Sequence, residues 1–323
     1  MRLAIIGCGL IGGKRAAAAA SHEIVVVCDR DHGRAEQLAT RTGARAASDW
    51  REAVGAEIDA VIVATTHDQL AAIALGAVEA GRHVLVEKPA GRALSEVQTI
   101  AAAAAKHRRV VKVGFNHRFH PAFVKAREIV DSGALGPLMY VRARYGHGGR
   151  LGMENEWRSI PEISGGGELI DQGSHLIDLS RWFLGDLTVD YAAVPTMFWK
   201  MEADDNCFLA LRGNAGQMAW LHASWTEWKN IFSFEVFGRD GKLAIDGLGG
   251  SYGLERLTYY RMLPEMGPPK TTAWEYPPPD QSWEAEFADF ADAIRDDRPP
   301  CGDIADAVAN LAIVGEVYRR YRS

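Results

Sequence analysis

Short apolar runs alternate with helical patterns over the first third of the chain. The apolar runs occupy Arg2–Ile6, Glu23–Cys28, 60–64, His83–Val86 and 110–114. Apolar and alanine residues at helical spacing fill segments between them, at 13–20, 34–41, 69–80 and 95–106. Strands that alternate with helices build a parallel sheet with helices on both faces. The pattern predicts a doubly wound α/β domain of the Rossmann type over residues 1–119.

The pattern changes after Phe119. We expect a helix at 120–132, a strand at 138–145, a loop at 146–158 and a central helix that ends near Leu184. Strand-like runs with hairpin-like turns follow at 187–194, 207–212, 217–224, 232–237, 242–246 and 252–261. The proline-rich stretch 264–279 is predicted as a loop, and helices at 283–295 and 304–321 close the chain.

These elements predict a second domain of the α+β class over residues 120–323. Its sheet is expected to be mostly antiparallel, with helices on one face and the other face open. The last helix, 303–321, is a candidate to pack back on the first domain.

The first strand runs into the glycine turn Gly7-Cys8-Gly9-Leu10-Ile11-Gly12, and the second strand ends at Asp29. Strand, G-x-G-x-x-G, helix, strand and acid form the dinucleotide fingerprint within one βαβ unit. The turn, with Gly7, Gly9, Leu10, Ile11 and Gly12, is predicted to hold a pyrophosphate at the helix N-terminus. Asp29 is expected to bind the ribose hydroxyls and to favour NAD over NADP, while the neighbouring Arg30 weakens that preference.

Composition excludes several other classes of function. With 47% hydrophobic and 24% charged residues and a net charge of −6, the chain has no electrostatic footprint for nucleic acid or an anionic membrane. The four cysteines show no C-x-x-C spacing, and no metal-ligand cluster is present, so no metal site is predicted. No apolar run is long enough to span a bilayer, and no leader pattern is seen. We expect a cytoplasmic enzyme.

Polar residues follow three of the predicted strands, where parallel α/β sheets bind ligands. Thr65, Thr66 and His67 follow one strand, Glu87 and Lys88 another, and Asn116 and His117 a third. Lys88 is a candidate to point into the binding cleft, the alternative being a surface lysine in a turn. His67 is a cofactor contact or an ordinary residue at a helix start.

The segment 165–178 reads GGGELIDQGSHLID and carries Asp171 and His175 four residues apart. Positions i and i+4 share one face of a helix, so a carboxylate and an imidazole would point together into whatever the glycine turn opens onto. The alternative is a structural pair on a solvated face, with Glu168 as an acid near the helix start.

With the GCGLIG turn, the EKP of residues 87–89 and the GGGELIDQGSHLID segment, the chain resembles the Gfo/Idh/MocA family of sugar and polyol oxidoreductases. The resemblance spans nearly the whole chain. It implies that Lys88, Asp171 and His175 line the substrate site beside the nicotinamide of NAD. It also implies that 64–70 is a cofactor-contacting loop, although Gln69 and Leu70 stand where many members carry a further histidine. A homodimer or homotetramer, formed through the open face of the second sheet, is implied as well.

The expected reaction is hydride transfer between NAD and a secondary hydroxyl or keto carbon. His175 is the candidate general base, Asp171 the group that orients the substrate, and Lys88 the cation that stabilises the developing alkoxide. The remaining candidates for the cofactor are Glu87, Asn116, Trp157 and Arg158. Those for the substrate are His117, Arg144, His147, Arg150 and Trp157.

The sequence pattern does not identify the substrate. Arg142, Arg144, His147 and Arg150 would suit an anionic group, or they are solvated strand and loop residues, and a neutral sugar or inositol is an equal alternative. Two other classes share the fold: enzymes that use NAD transiently to cleave glycosides without net redox change, and regulators that bind dinucleotide without catalysis. The complete Lys88, Asp171 and His175 set argues against a regulator.

Overall fold

The computed structural model describes residues 1–321, which fold as two compact units. The first unit comprises Met1–Asn116 together with Trp283–Leu311. The second comprises His117–Ser282 together with the described residues from Ala312 to Tyr321.

The first unit is built on a six-stranded parallel sheet. Its strands are β1 (Arg2–Ile6), β2 (Glu23–Cys28), β3 (Arg45–Ala47), β4 (Ala60–Val63), β5 (His83–Val86) and β6 (Val111–Val113). Their order in the sheet is β3-β2-β1-β4-β5-β6, so the strand order reverses between β1 and β4. The edge at this reversal is where doubly wound folds bind their ligands.

Five helices connect these strands: α1 (Leu10–Ala18), α2 (His32–Thr42), α3 (Trp50–Gly55), α4 (His67–Glu79) and α5 (Leu94–His107). The ends of α2 follow ordinary capping rules, because the Asp31 carboxylate accepts the Arg34 N–H and Gly43 adopts a left-handed conformation. Asp49 caps α3 in the same way. The short β3 and α3 are not part of the sequence prediction, since a three-residue strand and a six-residue helix carry too little periodicity.

A late helix completes the core of the first unit. The sheet residues Leu3, Ile5 and Ile62 are fully buried, and Phe287 and Phe290 of α9 (Ser282–Arg295) pack into the same apolar cluster. Buried charges add to this packing. Arg15 of α1 contacts Glu286 of α9, and both side chains are fully buried.

The second unit is built on an eight-stranded sheet. Its helices are α6 (Pro121–Asp131), α7 (Pro161–Ser164), α8 (Ser174–Leu184) and the latter part of α10 (Ile304–Tyr321). Its strands are β7 (Leu138–Gly146), β8 (Leu187–Ala193), β9 (Asn206–Gly213), β10 (Met218–Ser224), β11 (Ile231–Gly238), β12 (Gly241–Asp246), β13 (Glu255–Arg261) and β14 (Lys270–Tyr276). The order is β14-β13-β12-β11-β7-β10-β9-β8, and every neighbouring pair is antiparallel except β7 with β10.

Alternation along the strands sets the two faces of this sheet. In β7, Val141, Ala143 and Tyr145 are buried, whereas Arg142 and Arg144 between them are exposed. The buried face carries the packing of α6 and α8. The predicted fold, a Rossmann domain followed by a mostly antiparallel open-faced sheet, is confirmed.

Two local predictions are wrong. The stretch 264–279, predicted as a loop, contains β14, which pairs with β13 from Lys270 to Tyr276. Most of its side chains are exposed, so no apolar alternation marks it. The expected continuous α-helix through residues 168–184 begins instead with one π-helical turn at Leu169–Gly173, and α8 follows it. Among residues 1–321, no helix is long and apolar enough to cross a membrane.

Candidate functional site

The glycine turn of the first unit has the geometry of a phosphate cradle. A Cβ at Gly7, where φ is +98°, would lie 2.3 Å from the Ala64 carbonyl oxygen. A Cβ at Gly12 would lie 1.9 Å from the Gly7 carbonyl oxygen. Packing inside the unit therefore requires glycine at both positions. At Gly9, in contrast, a Cβ would meet no atom within 4 Å.

Gly9 is the N-cap residue of α1, and no side chain caps that helix start. The first N–H groups of α1 thus retain hydrogen-bonding capacity, and the helix dipole favours an anion there. Leu10, which follows, is 79% exposed despite being apolar. The open space at Gly9 and the uncapped helix start fit the pyrophosphate of a dinucleotide.

Asp29 is tied to this turn. Its carboxylate accepts the Cys8 N–H at 2.8 Å and the Asp31 N–H at 2.9 Å, which fixes the acid at the end of β2. Arg30 is exposed beside it. Burial, and then the charge of Asp29, raises the pKa of the Cys8 thiol to about 12, so Cys8 behaves as a small buried apolar residue.

The other two strand ends of the first unit differ in their surroundings. Thr65 and Thr66 are half-buried, and the Thr66 hydroxyl donates to Asp68 at 2.6 Å. His67, at the first position of α4, is 4% exposed. Glu87, predicted as a cofactor contact, accepts the Arg15 Nε–H at 2.7 Å. Glu87 therefore has a hydrogen-bond partner within its own unit. The Arg15–Glu87 pair connects α1 to the residue just before Lys88.

In the second unit, a buried carboxylate holds the start of the motif segment. Asp204 accepts the Gly167 N–H at 2.9 Å, the Leu169 N–H at 2.8 Å and the Tyr318 hydroxyl at 2.8 Å. Burial raises the pKa of Asp204, and these hydrogen bonds oppose that shift. Asp204 is not among the predicted residues, because an acid in a turn between two strands gives no sequence signal of a distant partner.

The glycines of this segment serve close packing. A Cβ at Gly166 would lie 2.0 Å from the Tyr318 hydroxyl oxygen, and one at Gly167 would lie 2.0 Å from the Asp204 carbonyl oxygen. Gly166 and Gly167 are therefore required by packing against Tyr318 and Asp204. Glu168, expected at a helix start, is fully buried.

Asp171 lies inside the π turn and His175 lies in the first turn of α8. Asp171 and His175 are thus not an i,i+4 pair of one regular α-helix. A single π turn inserted before an α-helix is frequent at functional sites. The Arg158 Nε lies 3.2 Å from an Asp171 carboxylate oxygen, and the Arg158 guanidinium stacks on Trp157 at 4.4 Å.

His175 contacts a second histidine. The rings of His117 and His175 are stacked, with 3.7 Å between centroids and 22° between planes. Tyr145 of β7 packs against both rings, at 5.4 Å from His117 and 6.3 Å from His175. Both histidines are about 5% exposed.

Two tyrosines and a glutamine extend this buried group. The rings of Tyr145 and Tyr252 are 5.0 Å apart, and the Gln172 amide donates to the Tyr252 hydroxyl at 3.1 Å. Burial, followed by the neighbouring Tyr252, raises the pKa of Tyr145, and burial also raises that of Tyr252. Both phenols therefore keep their protons at neutral pH. The alternation in β7 could have identified Tyr145, which shares a face with the buried Val141 and Ala143.

His147 and Arg150 follow β7. The His147 Nδ1 accepts the Gly149 N–H at 2.9 Å. Burial lowers the pKa of His147, the Asp171 charge opposes this shift, and Arg158 and Arg150 add to it. Arg150 is exposed and forms two hydrogen bonds to Glu156, at 2.6 and 2.8 Å. These charges place His147 in the electrostatic neighbourhood of Asp171.

Arg144 is not brought to this cluster within the second unit. It lies on the exposed face of β7, whereas Tyr145, which contacts His175, lies on the buried face. Arg142 shares the exposed face and donates to Glu235 at 2.6 Å. Among residues 1–321, no group of three or more His, Cys, Asp or Glu side chains is placed to hold a metal ion.

The predicted site residues are thus divided between the units. Unit one holds the glycine turn, Asp29, Arg30, Thr65, Thr66, His67, Glu87, Lys88 and Asn116. Unit two holds His117, Arg144, His147, Arg150, Trp157, Arg158, Asp171 and His175. Within the second unit, Asp171, Arg158, Trp157 and His147 form one group, and His175 with His117 forms another.

Comparisons with known proteins bear on both units. Residues 1–115 match the family model described as the oxidoreductase family with NAD-binding Rossmann fold, and residues 123–244 match the GFO/IDH/MocA C-terminal domain. Inositol 2-dehydrogenase 2 of Saccharopolyspora erythraea is 32% identical over 60% of this chain and 56% of its own length. Levoglucosan dehydrogenase of Pseudarthrobacter phenanthrenivorans is 31% identical over 53% of this chain and 45% of its own length. The chain thus spans about half the length of these curated relatives.

Solved structures match over nearly the full chain. A levoglucosan dehydrogenase in complex with NADH and L-sorbose superposes with a TM-score of 0.87 at 23% identity. The superposition covers 99% of this chain and 97% of that one, which shows a common fold. GenD2 from gentamicin A biosynthesis, in complex with NAD, superposes with a TM-score of 0.85 at 26% identity, covering 100% of this chain and 94% of that one. The first unit is an NAD-binding Rossmann domain, and the chain belongs to the Gfo/Idh/MocA family of oxidoreductases.

Proposed function

We propose that this protein is an NAD-dependent dehydrogenase that transfers a hydride between the cofactor and a secondary hydroxyl or keto carbon of a sugar or polyol. The observation that carries the proposal is the motif segment of the second unit, which places Asp171 beside Arg158 and His175 against His117, in a chain whose other unit is an NAD-binding domain. Relatives named inositol 2-dehydrogenase and levoglucosan dehydrogenase support the substrate class.

Each proposed residue has a distinct task. His175 removes the hydroxyl proton, because an imidazole titrates near neutral pH and can accept it. Asp171, held by Arg158, accepts a hydrogen bond from a substrate hydroxyl and orients the sugar. Lys88, as a cation, stabilises the negative charge that develops on the reacting oxygen. When bound, NAD supplies the hydride acceptor.

The cofactor contacts are proposed for the glycine turn, Asp29, Thr65, Thr66, His67 and Asn116. The open space at Gly9 and the uncapped start of α1 support the pyrophosphate position. Asp29 favours NAD, since a carboxylate at the ribose repels a 2′-phosphate. Trp157 and Arg158 remain candidates for the nicotinamide side, and Glu87 is better explained by its bond to Arg15.

Within the sugar and polyol class we propose a neutral substrate. Two of the three arginines that could bind an anion have carboxylate partners in their own unit: Arg142 with Glu235, and Arg150 with Glu156. The third, Arg144, lies on the exposed face of β7, away from His175. A paired guanidinium offers less charge to a ligand. A panel of inositols, pyranoses, 1,6-anhydrosugars and sugar acids, each with NAD and then NADP, tests this proposal by NADH absorbance.

Two variants test the roles. Lys88→Ala and His175→Ala should each lower kcat by about 10²–10⁴-fold, the size of a general acid–base or electrostatic contribution. NAD affinity, measured by calorimetry, should stay close to that of the wild type. Near-normal turnover in either variant would contradict that residue's role. Glycoside cleavage without net NADH would favour the redox-neutral alternative, and NAD binding with no reaction on any substrate would favour a regulator.

We further propose a homo-oligomer, a dimer or a tetramer, formed through the open face of the second sheet. Tyr140 and Trp220 are exposed on this face, which helices leave uncovered. Trp220→Glu should shift the mass measured by light scattering towards the monomer, and an unchanged mass would contradict this interface. A cytoplasmic location is also proposed, supported by four free cysteines, and cell fractionation tests it.

A further inference from the structure

The stack of His117 on His175 stands out in the second unit. Its centroid separation of 3.7 Å and its near-parallel planes put the two imidazoles in direct face-to-face contact. His117 was expected to bind substrate, but one face of its ring is covered by His175. His117 belongs to a 3-10 turn at Asn116–Phe119, and His175 to α8, so the stack joins two separate elements.

A buried ion pair fixes the register of this stack. Arg118 follows His117, and its guanidinium binds the Asp178 carboxylate in a bidentate manner, with hydrogen bonds of 2.8 and 2.6 Å. Asp178 lies three residues after His175, about one turn along α8. The Arg118–Asp178 pair therefore holds the 3-10 turn against the helix face that carries His175.

His120, with Glu255 and Asp280 behind it, contacts His117 on the side away from His175. The His120 ring meets His117 edge-on, at 5.7 Å and 76°. His120 is itself held by Glu255, whose carboxylate lies 2.8 Å from its Nδ1, and Asp280 lies 3.9 Å away. Glu255 also accepts the Ala122 N–H at 2.8 Å. The chain of contacts from Glu255 through His120 and His117 to His175 is buried at each of these four residues.

We propose that His117 is a positioning residue for His175: its stacked ring fixes the plane of the catalytic imidazole and limits the pair to one proton near neutral pH. The proposal rests on the assignment of His175 as the general base. Two imidazolium ions at stacking distance repel each other, so the two rings titrate as a coupled pair. A base that is held neutral and immobile is ready to accept the substrate proton.

Other groups also act on this pair. Tyr145 of β7 packs against both rings and contacts Tyr252 in the loop before β13. The carboxyls of Asp171, in the π turn, and of Glu168, just before it, act in turn on these two tyrosines. On the far side of His117, His120 stands in front of Glu255 and Asp280, beside the Arg118–Asp178 pair. These groups are the same in every variant at position 117, so a change in the titration of His175 reports on His117 itself.

His117→Phe and His117→Ala separate stacking from titration. Phenylalanine keeps a flat ring over His175 and cannot be protonated, whereas alanine removes the ring. The first readout is the histidine ring NMR signal of His175 in the NAD complex without substrate, assigned with a His175→Gln sample. In both variants its titration midpoint should move to higher pH, since no second imidazole competes for the proton. His107→Phe, in the first unit, is the control and should leave the signal unchanged.

Kinetics supply the second readout. His117→Ala should lower kcat by about tenfold or more, with KM changed by less than about threefold, because a mobile base loses alignment rather than binding. His117→Phe should recover most of kcat at high pH, with the acid limb of the kcat profile moved to higher pH. Melting temperatures confirm that the variants are folded, and His117→Gln replaces either one that is not.

Unchanged His175 titration and unchanged kcat in the His117 variants would overturn the positioning role, even if His175→Ala is inactive. Loss of substrate affinity alone, seen as a raised KM with normal kcat, would instead make His117 a binding residue and also overturn it. Normal turnover in His175→Ala would remove the proposed base itself. The failure of this inference is therefore distinguishable from failure of the proposed function.

Discussion

Alanine substitutions at Gly9 and Gly12 separate cofactor binding from folding in the glycine turn. The two residues are three positions apart, and both flank the start of α1. A Cβ at Gly9 meets nothing, whereas a Cβ at Gly12 lies 1.9 Å from the backbone carbonyl oxygen of Gly7. The same chemical change should therefore affect two different properties of the protein.

Gly12→Ala should lower the stability of the fold. The added methyl is about 1.5 Å closer to a backbone atom than ordinary contact allows, so α1 must move away from β1. Overpacking of this kind costs about 1–3 kcal/mol, and the rigid backbone neighbour favours the upper end. For a domain of this size the melting temperature should fall by about 6–12 °C.

Gly9→Ala should weaken the binding of NAD. The backbone of Gly9, with φ −74° and ψ −161°, is open to any residue. A gain of about 0.4–1 kcal/mol from the unfolded chain is offset by the poorer N-cap, so the melting temperature should stay within a few degrees. The methyl occupies the space proposed for the pyrophosphate. Loss of one or two charge-assisted hydrogen bonds, at about 1.5–3 kcal/mol each, should weaken NAD binding by about 10–100-fold or more.

Differential scanning fluorimetry without cofactor measures the stability effect, and calorimetry measures the Kd for NAD. The expected result is a crossed pattern: a destabilised Gly12→Ala and a stable Gly9→Ala that binds NAD poorly. A Gly9→Ala protein that binds NAD with wild-type affinity would refute the position assigned to the pyrophosphate. Equal melting temperatures for the two variants would refute the packing argument at Gly12.

Two predictions concern buried charges. Asp178→Asn leaves the buried Arg118 charge without its counter-ion, which costs about 3 kcal/mol or more. Asp186→Asn, at a carboxylate that is 77% exposed beside Arg181, should cost at most about 1 kcal/mol. Equal urea midpoints for the two variants would contradict this difference. Burial alone would raise the pKa of Asp289, but the Lys112 ammonium holds it below the ordinary 3.8, so the carboxylate stabilises the fold above about pH 4 and loses that contribution as the pH falls. Melting temperatures between about pH 7 and pH 3 should fall less steeply for Asp289→Asn than for wild type, from a lower starting value.

The positions of strands and helices could be predicted from the sequence wherever they follow from the local spacing of apolar residues. The strands β1, β2 and β5 and the helix α9 lie where the apolar pattern predicts them, and the glycine fingerprint matches the observed strand, turn and helix. The segment just before His175 was not predicted correctly, because it forms a π turn rather than an α-helix. A π turn differs from an α-helix by one residue per hydrogen-bonded ring, which spacing alone does not reveal.

Partners that are distant in sequence were also missed. Arg15 meets Glu286, 271 residues away, and Asp204 meets Tyr318, 114 residues away. Each side chain reads as an ordinary helix or loop residue until the fold supplies its partner. The role of the arginines of β7 and the following loop stayed open in the sequence for the same reason, because Arg142 and Glu235 become neighbours only when β7 pairs with β11.

The packing of Tyr318 has a consequence for protein engineering. Gly166 leaves room for the Tyr318 hydroxyl, which in turn donates to the carboxylate that holds Gly167 and Leu169. The GGGELIDQGSHLID segment therefore cannot be exchanged between relatives on its own. A chimera that imports this segment from a relative to change substrate choice must also import compatible residues at positions 204 and 318, and a C-terminal fusion that displaces the last helical turn would reach the same segment.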